Sequence, residues 1–219
     1  MAKDTHTRRE RRASVTRQRL LDAARTVFAE KGLDLTSIGD ITERADVGKG
    51  TFYSYFPSRG KLIRELVRGM LGELNSAMHR GCDGKTDLDS LLDTLIQVHI
   101  DFFSSRWEDF VLFFQGRADL TLEQSYDGIE TPFLEYLETI EQLVGGVTRT
   151  RLPKNVLRRI ACAVAGLVSG YYSFAVVVAQ GEDIDEVFHS LRGAMVKSLA
   201  RFIKEASPAE ERSQEERTG

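Results

Sequence analysis

The sequence predicts an all-α protein in which three short helices precede a larger helical bundle. Three observations carry this. Apolar residues recur at helical spacing through most of the chain. There are 4 prolines in 219 residues and few Asn-Gly or Gly-Pro turn signals, which argues against sandwiches and barrels. Hydrophobic residues make up 42% and charged residues 29%, the balance of a packed soluble chain long enough to bury a core.

Residues 1–14 are polar and basic and read as a flexible arm. From Val15 the helical period begins, with Leu20, Leu21, Ala24, Val27 and Phe28 on one face and Lys31-Gly32 as a stop. Thr36 or Ser37 then caps a short helix that buries Ile38, Ile41 and Ala45. Asp46-Val47-Gly48 makes a tight turn, and Lys49 to Tyr55 forms a very short third helix closed by Phe56-Pro57. A fourth helix runs from about Ser58 to about His79, where Gly81 to Lys85 breaks it. Asp87 caps a fifth helix reaching about Phe103, and an aromatic segment follows from Trp107 to about Gly116. Further helices span about Thr131 to Val144, Pro153 to about Gly181, and Asp183 onward. Residues 206–219 read as a disordered tail. The domains expected are therefore 15–60 and 61–205, between an arm and a tail.

Charge is unevenly distributed. Residues 1–60 hold 12 Lys/Arg against 8 Asp/Glu, a balance of +4, and residues 61–219 hold 18 against 25, a balance of -7. A basic head on an acidic body points to a polyanion met by the head. The two cysteines, Cys82 and Cys162, form neither a disulfide framework nor a zinc motif, and a cytoplasmic location is expected. The N-terminus lacks the apolar stretch of a signal peptide. Residues 160–181 carry no charge and are long enough to cross a bilayer. Their Gly, Ser, Tyr and Gln content favours a helix buried on both sides instead, with no membrane partner.

Two short helices joined by a tight turn form a helix-turn-helix, whose second helix reads the major groove. Lys49, Gly50, Thr51, Tyr53, Ser54 and Tyr55 suit that role, being small, polar or able to touch backbone oxygens and thymine methyls. Phe52 and Phe56, four residues apart, can pin the helix to its core. Packing alone is the other reading of these aromatics.

The stretch Ile38–Leu62, IGDITERADVGKGTFYSYFPSRGKL, resembles the helix-turn-helix of TetR/AcrR-type regulators, and the Gly50–Phe56 core, GTFYSYF, is its most specific part. The resemblance covers about residues 15–66. It implies phosphate contacts from Thr51 and Tyr55, and base or sugar-phosphate contacts from Lys49, Gly50 and Tyr53. It further implies a phosphate bond at Thr36 and Ser37, and another at Arg59 at the head of the fourth helix. Gly39 departs from the pattern, which often has a long polar residue there. Arg8, Arg9, Arg11 and Arg12 either enter the minor groove or track phosphates, or form a solvated tail.

Nine of the 12 phenylalanines and the one tryptophan follow residue 100. Phe103, Trp107, Phe110, Phe114, Tyr136 and Tyr171, with Arg117 and Gln115 as polar handles, are candidates for an effector cavity between helices. Ordinary core is the competing reading. The resembled family dimerises through its last two long helices. Gly166 and Gly170 on one, and the stripe Leu191, Met195, Leu199 and Phe202 on the other, are the expected interface. The function expected is a homodimeric regulator, most simply a repressor. It would bind a palindromic double-stranded operator and be released by a small hydrophobic or aromatic effector. Effector binding would tilt the fourth helix and spoil the spacing of the two heads. No catalytic residue, metal or cofactor is expected: the four histidines share no motif, and phosphate-loop and nucleophile signatures are missing. A redox switch at Cys82, placed in a loop, is a rival, with Cys162 taken as buried packing.

Overall fold

The computed structural model describes residues 3–118, 130–148, 152–178 and 184–206. Its helices are α1 (Lys3–Lys31), α2 (Ile38–Arg44), α3 (Lys49–Tyr55), α4 (Arg59–Cys82), α5 (Leu88–Ser104), α6 (Trp107–Ala118), α7 (Glu130–Val147), α8 (Lys154–Val178) and α9 (Ile184–Ala206). All regular structure among the described residues is helical.

The chain divides into two compact units. The first holds residues 1–71 and 106–133, and the second 72–105 and 134–219. The division falls neither at residue 60 nor once along the chain, because α6 packs on α1 and joins the first unit. Residues 3–14, expected as a flexible arm, lie in α1. No glycine or proline interrupts Lys3–Lys31, so a helix nucleated on the buried Leu20 face can propagate back through the arginines.

In the first unit Leu20, Ala24, Val27 and Phe28 of α1 are buried. Burying a leucine, valine or phenylalanine side chain of this kind contributes about 1.5–3 kcal/mol. α1 ends where Gly32 adopts φ +80 and donates its N–H to the Phe28 carbonyl at 2.8 Å, a left-handed C-terminal stop that glycine adopts without strain. α6 is anchored to α1 by the ion pair of half-buried Arg25 with buried Asp109, at 3.0 Å.

In the second unit, Asp87 caps α5 by accepting the Ser90 N–H. Buried Leu91, Leu92, Leu95, Ile96 and Ile100 make its inner face, and α5, α8 and α9 pack on one another. The Gly145-Gly146 pair lies inside α7, which continues to Val147. Gly81 likewise lies inside α4, and Gly84, with φ +72, follows its end.

Both cysteines are placed contrary to the sequence expectation. Cys82 is the last residue of α4 and buried, and burial raises its thiol pKa. Cys162 is exposed on α8. In an uncharged helix, polarity gives no clue to which side faces solvent. A buried, protonated thiol is a poor nucleophile, so the redox reading of Cys82 loses its basis.

Candidate nucleic-acid interface

The second helix of the head is set by local hydrogen bonds. Ser37 is the N-cap of α2: its hydroxyl accepts the Asp40 N–H, and the Asp40 carboxylate accepts the Ser37 N–H. Lys31 also reaches Asp40, and hydrogen bonds from Lys31 and Ser37 hold that carboxyl well below the usual carboxylate range. Ile41 and Ala45 are buried as expected, and Ile38 is half-buried. α2 ends in a turn where Asp46 takes φ 51, a left-handed conformation that Asp tolerates better than most residues. Arg19 of α1 donates to the Ala45 carbonyl at 2.6 Å and so ties that turn to α1.

α3 begins at Lys49 and ends at Tyr55, as read from the sequence. Phe52 and Phe56 are buried, with ring centroids 5.8 Å apart. The Arg17 guanidinium lies 5.3 Å over the Phe56 ring and pairs with Glu65 of α4. One face of α3 is thereby fixed inward. The other presents Lys49, Gly50, Tyr53 and Ser54 to solvent, with Thr51 and Tyr55 half-buried at its edges. Tyr53 is 55% exposed although it is a large aromatic. Ser54 donates to the Gly50 carbonyl. Lys49 lies across the first turn of α2: its Cε and Nζ stand 3.6 and 3.8 Å from where a Cβ on Gly39 would be. The side-chain space left by Gly39 therefore adjoins a lysine ammonium, and α2 and α3 share one polar surface.

Two residues expected at phosphates are engaged within the head. Thr36 is buried, and its hydroxyl donates to the Gly32 carbonyl at 2.7 Å. Arg59 donates to the Leu33 and Thr36 carbonyls, both at 2.6 Å. From the other side, Gln115 of α6 accepts the Leu33 N–H at 2.7 Å. Arg59 and Gln115 together fix the turn that sets α2 against α1. Spacing in the sequence gives no sign of these long-range bonds.

The expected effector residues divide between the units. Phe103 and Tyr136 are buried in the second. Tyr136 donates its hydroxyl to His99 Nε2 at 2.7 Å, while His99 Nδ1–H donates to the Leu95 carbonyl at 2.6 Å. Complete burial pushes the His99 pKa down to about 4, against a smaller upward pull from the Leu95 bond, so the ring is neutral and its tautomer is fixed. Trp107, Phe110 and Phe114 belong to the first unit and stack along α6, at 5.5 and 6.1 Å between successive rings. Trp107 and Phe114 are exposed and Phe110 is buried. The side chains of Arg117, Tyr171 and Leu191 lie outside the described residues.

The expected dimer stripe needs correction. Met195 and Leu199 are buried within their own chain, because this side of α9 covers α5 and α8. The outward side of α9 carries Ala194, Ser198 and Phe202. On α8, Cys162, Gly166 and Leu167 are exposed and Gly170 is half-buried. Among the described residues no cluster of His, Cys, Asp and Glu has metal-site geometry, and no helix is long and apolar enough to cross a membrane.

Residues 20–66 match the model of the bacterial regulatory proteins of the tetR family. The head of the chain is thus similar to the DNA-binding region of the TetR family. YvdT of Bacillus subtilis, an uncharacterised helix-turn-helix regulator, is 32% identical over 56% of this chain and 63% of its own length. The matched stretch is therefore less than two thirds of that relative. AcrR of Shigella flexneri is 29% identical over 72% of this chain and 77% of its own. Among solved structures, the regulator FadR from Bacillus subtilis in complex with stearoyl-CoA superimposes with a TM-score of 0.64 at 20% identity. The match covers 83% of this chain and 96% of FadR, a likeness of fold.

Proposed function

We propose that this protein is a DNA-binding transcription regulator of the TetR family that represses its target and is released by a small effector. The observation that supports it most is the two-sided α3: Phe52 and Phe56 bury one face while Lys49, Tyr53 and Ser54 stand exposed on the other. A seven-residue helix that exposes an aromatic and a lysine beside a rigid core suits a major groove. Ser37, Gly50, Thr51 and Tyr55 border the same surface and are assigned to phosphates and sugars. Thr36 and Arg59 are assigned to holding the turn behind it.

One such helix reads few base pairs, so the active form is a homodimer reading a palindromic operator, with half-sites about 34–36 Å apart. The partner-facing surface is assigned to Gly166, Gly170 and Phe202, joined by Leu167, Ala194 and Ser198. The effector is an apolar or aromatic small molecule, held by some of Phe103, Trp107, Phe110, Phe114, Arg117, Tyr136 and Tyr171. The protein acts in the cytoplasm and catalyses no reaction. The likeness in fold to FadR, solved with stearoyl-CoA, makes acyl-CoAs reasonable first probes.

Titration against the duplex upstream of its own gene, or one selected from random sequence, tests this. Specific binding should exceed that to random DNA by about 10³ or more, and a releasing compound should lower affinity by about 5- to 150-fold. Failure of selection to recover any preferred sequence would overturn the proposal.

A further inference from the structure

We infer that the N-terminal extension of α1 is a rigid basic helix that grips DNA phosphates beside the α2–α3 turn; this rests on the DNA-binding reading above. Burial does not explain why this stretch is helical. α1 starts at Lys3, yet among its described side chains the first buried one is Leu20, and residues 8–12 are all exposed. Arg8, Arg9, Arg11 and Arg12 sit there as neighbours three and four residues apart, and like charges at those spacings destabilise a helix. Such an arrangement is relieved by a polyanion.

The helical phase gives the stripe a direction. At about 100° per residue, the four arginines fall within an arc of about 160°, with Glu10 on the opposite side. Arg19 lies eleven residues after Arg8, about 20° from it in phase and about 17 Å along the axis. Arg19 is the residue that donates to the Ala45 carbonyl in the turn leading into α3. The stripe thus runs outward from the side of the head where α3 begins.

The arginines that follow are committed within the protein. Arg17 pairs with Glu65, Arg19 with the α2–α3 turn, Arg25 with Asp109, Arg44 with Glu30 and Arg59 with the 33–36 turn. Arg8, Arg9, Arg11 and Arg12 form no ion pair among the described residues. Guanidinium groups clustered on one side of a helix suit charge-assisted bonds to neighbouring phosphates. Contacts of this kind carry no base information, so they add affinity at any sequence.

The test measures operator affinity of the full-length protein from 50 to 200 mM salt for three forms. These are the natural chain, the combined Arg8→Gln, Arg9→Gln, Arg11→Gln and Arg12→Gln variant, and Ala13→Pro, which keeps every charge but breaks the helix between stripe and head. Removing one arginine–phosphate interaction flattens the log-log salt slope by about 0.9. The quadruple variant is expected to be shallower by at least about two units, with operator and random duplex weakened alike. Ala13→Pro is expected to flatten the slope by a comparable amount. An unchanged slope in the quadruple variant overturns the phosphate grip, and an unchanged slope in Ala13→Pro overturns the rigid helix in favour of a loose arm. If the natural chain binds no duplex at all, the DNA-binding reading itself has failed.

Discussion

Tyr136 and His99 show how a polar pair survives in an apolar interior. Each ring nitrogen of His99 has its own partner, the Leu95 carbonyl and the Tyr136 hydroxyl, so burial leaves neither nitrogen orphaned. The cost appears in titration. With the His99 pKa lowered to about 4, the unfolded chain takes up a proton below about 6.5 that the folded chain refuses. Stability contributed by neutral His99 is therefore complete above about pH 6.5 and falls as pH drops toward 4, at up to about 1.4 kcal/mol per pH unit. Thermal melts between pH 7.5 and 4.5 should show a flatter pH dependence for His99→Gln than for the natural chain. Equal slopes would show that His99 is not the group responsible. Removing the hydroxyl by Tyr136→Phe should cost about 1–3 kcal/mol, by leaving Nε2 buried without a donor.

At the scale of elements, close approach and open space separate the glycines. A Cβ at Gly81 would stand 2.8 Å from Val98 Cγ2 and 3.4 Å from Thr94 Cγ2. α4 and α5 thus meet where the β-branched Val98 has little freedom to yield. Overpacking costs about 1–3 kcal/mol, against about 1 kcal/mol gained by alanine in a helix. Gly81→Ala should lower stability in urea, and Val98→Ala in the same chain should restore part of it; a stabilised Gly81→Ala would refute the close approach.

Legibility in the sequence followed the same division between local and long-range causes. α3 could be read to the residue, because the Asp46-Val47-Gly48 turn and Phe56-Pro57 bracket it with local chemistry. The start of α1 could not, because Arg8 to Ser14 carry no apolar period and their helix is inherited from the turns that follow. The stripe Met195–Leu199 was legible as apolar, but the pattern does not say whether its own core or a partner covers it. The bonds that Arg59 and Gln115 make to the 33–36 turn join positions 23 to 82 residues apart and leave no local mark.

For the whole molecule, the basic first 60 residues and acidic remainder let a polyanion be drawn to the head and repelled elsewhere. On α8, a Cβ at Gly166 or Gly170 would meet nothing within 4 Å among the described residues. That open side leaves room for the close approach of a second copy. Gly166→Leu should shift the sedimentation profile from dimer toward monomer. A dimer of unchanged dissociation constant would remove α8 from the interface.

In the proposed function, the exposed face of α3 reads DNA while its buried face holds the head together. The most direct test is operator binding by the combined Lys49→Ala and Tyr53→Ala variant, alongside its thermal melt. Both side chains are exposed, so the melting temperature should stay within about 2 °C, in line with the effect of about ±0.5 kcal/mol usual at surface sites. Specific affinity should fall by about 100-fold or more, toward that for random duplex, as expected when base contacts worth about 1–3 kcal/mol each are removed from both heads. A variant that folds normally and binds its operator undiminished would contradict the account.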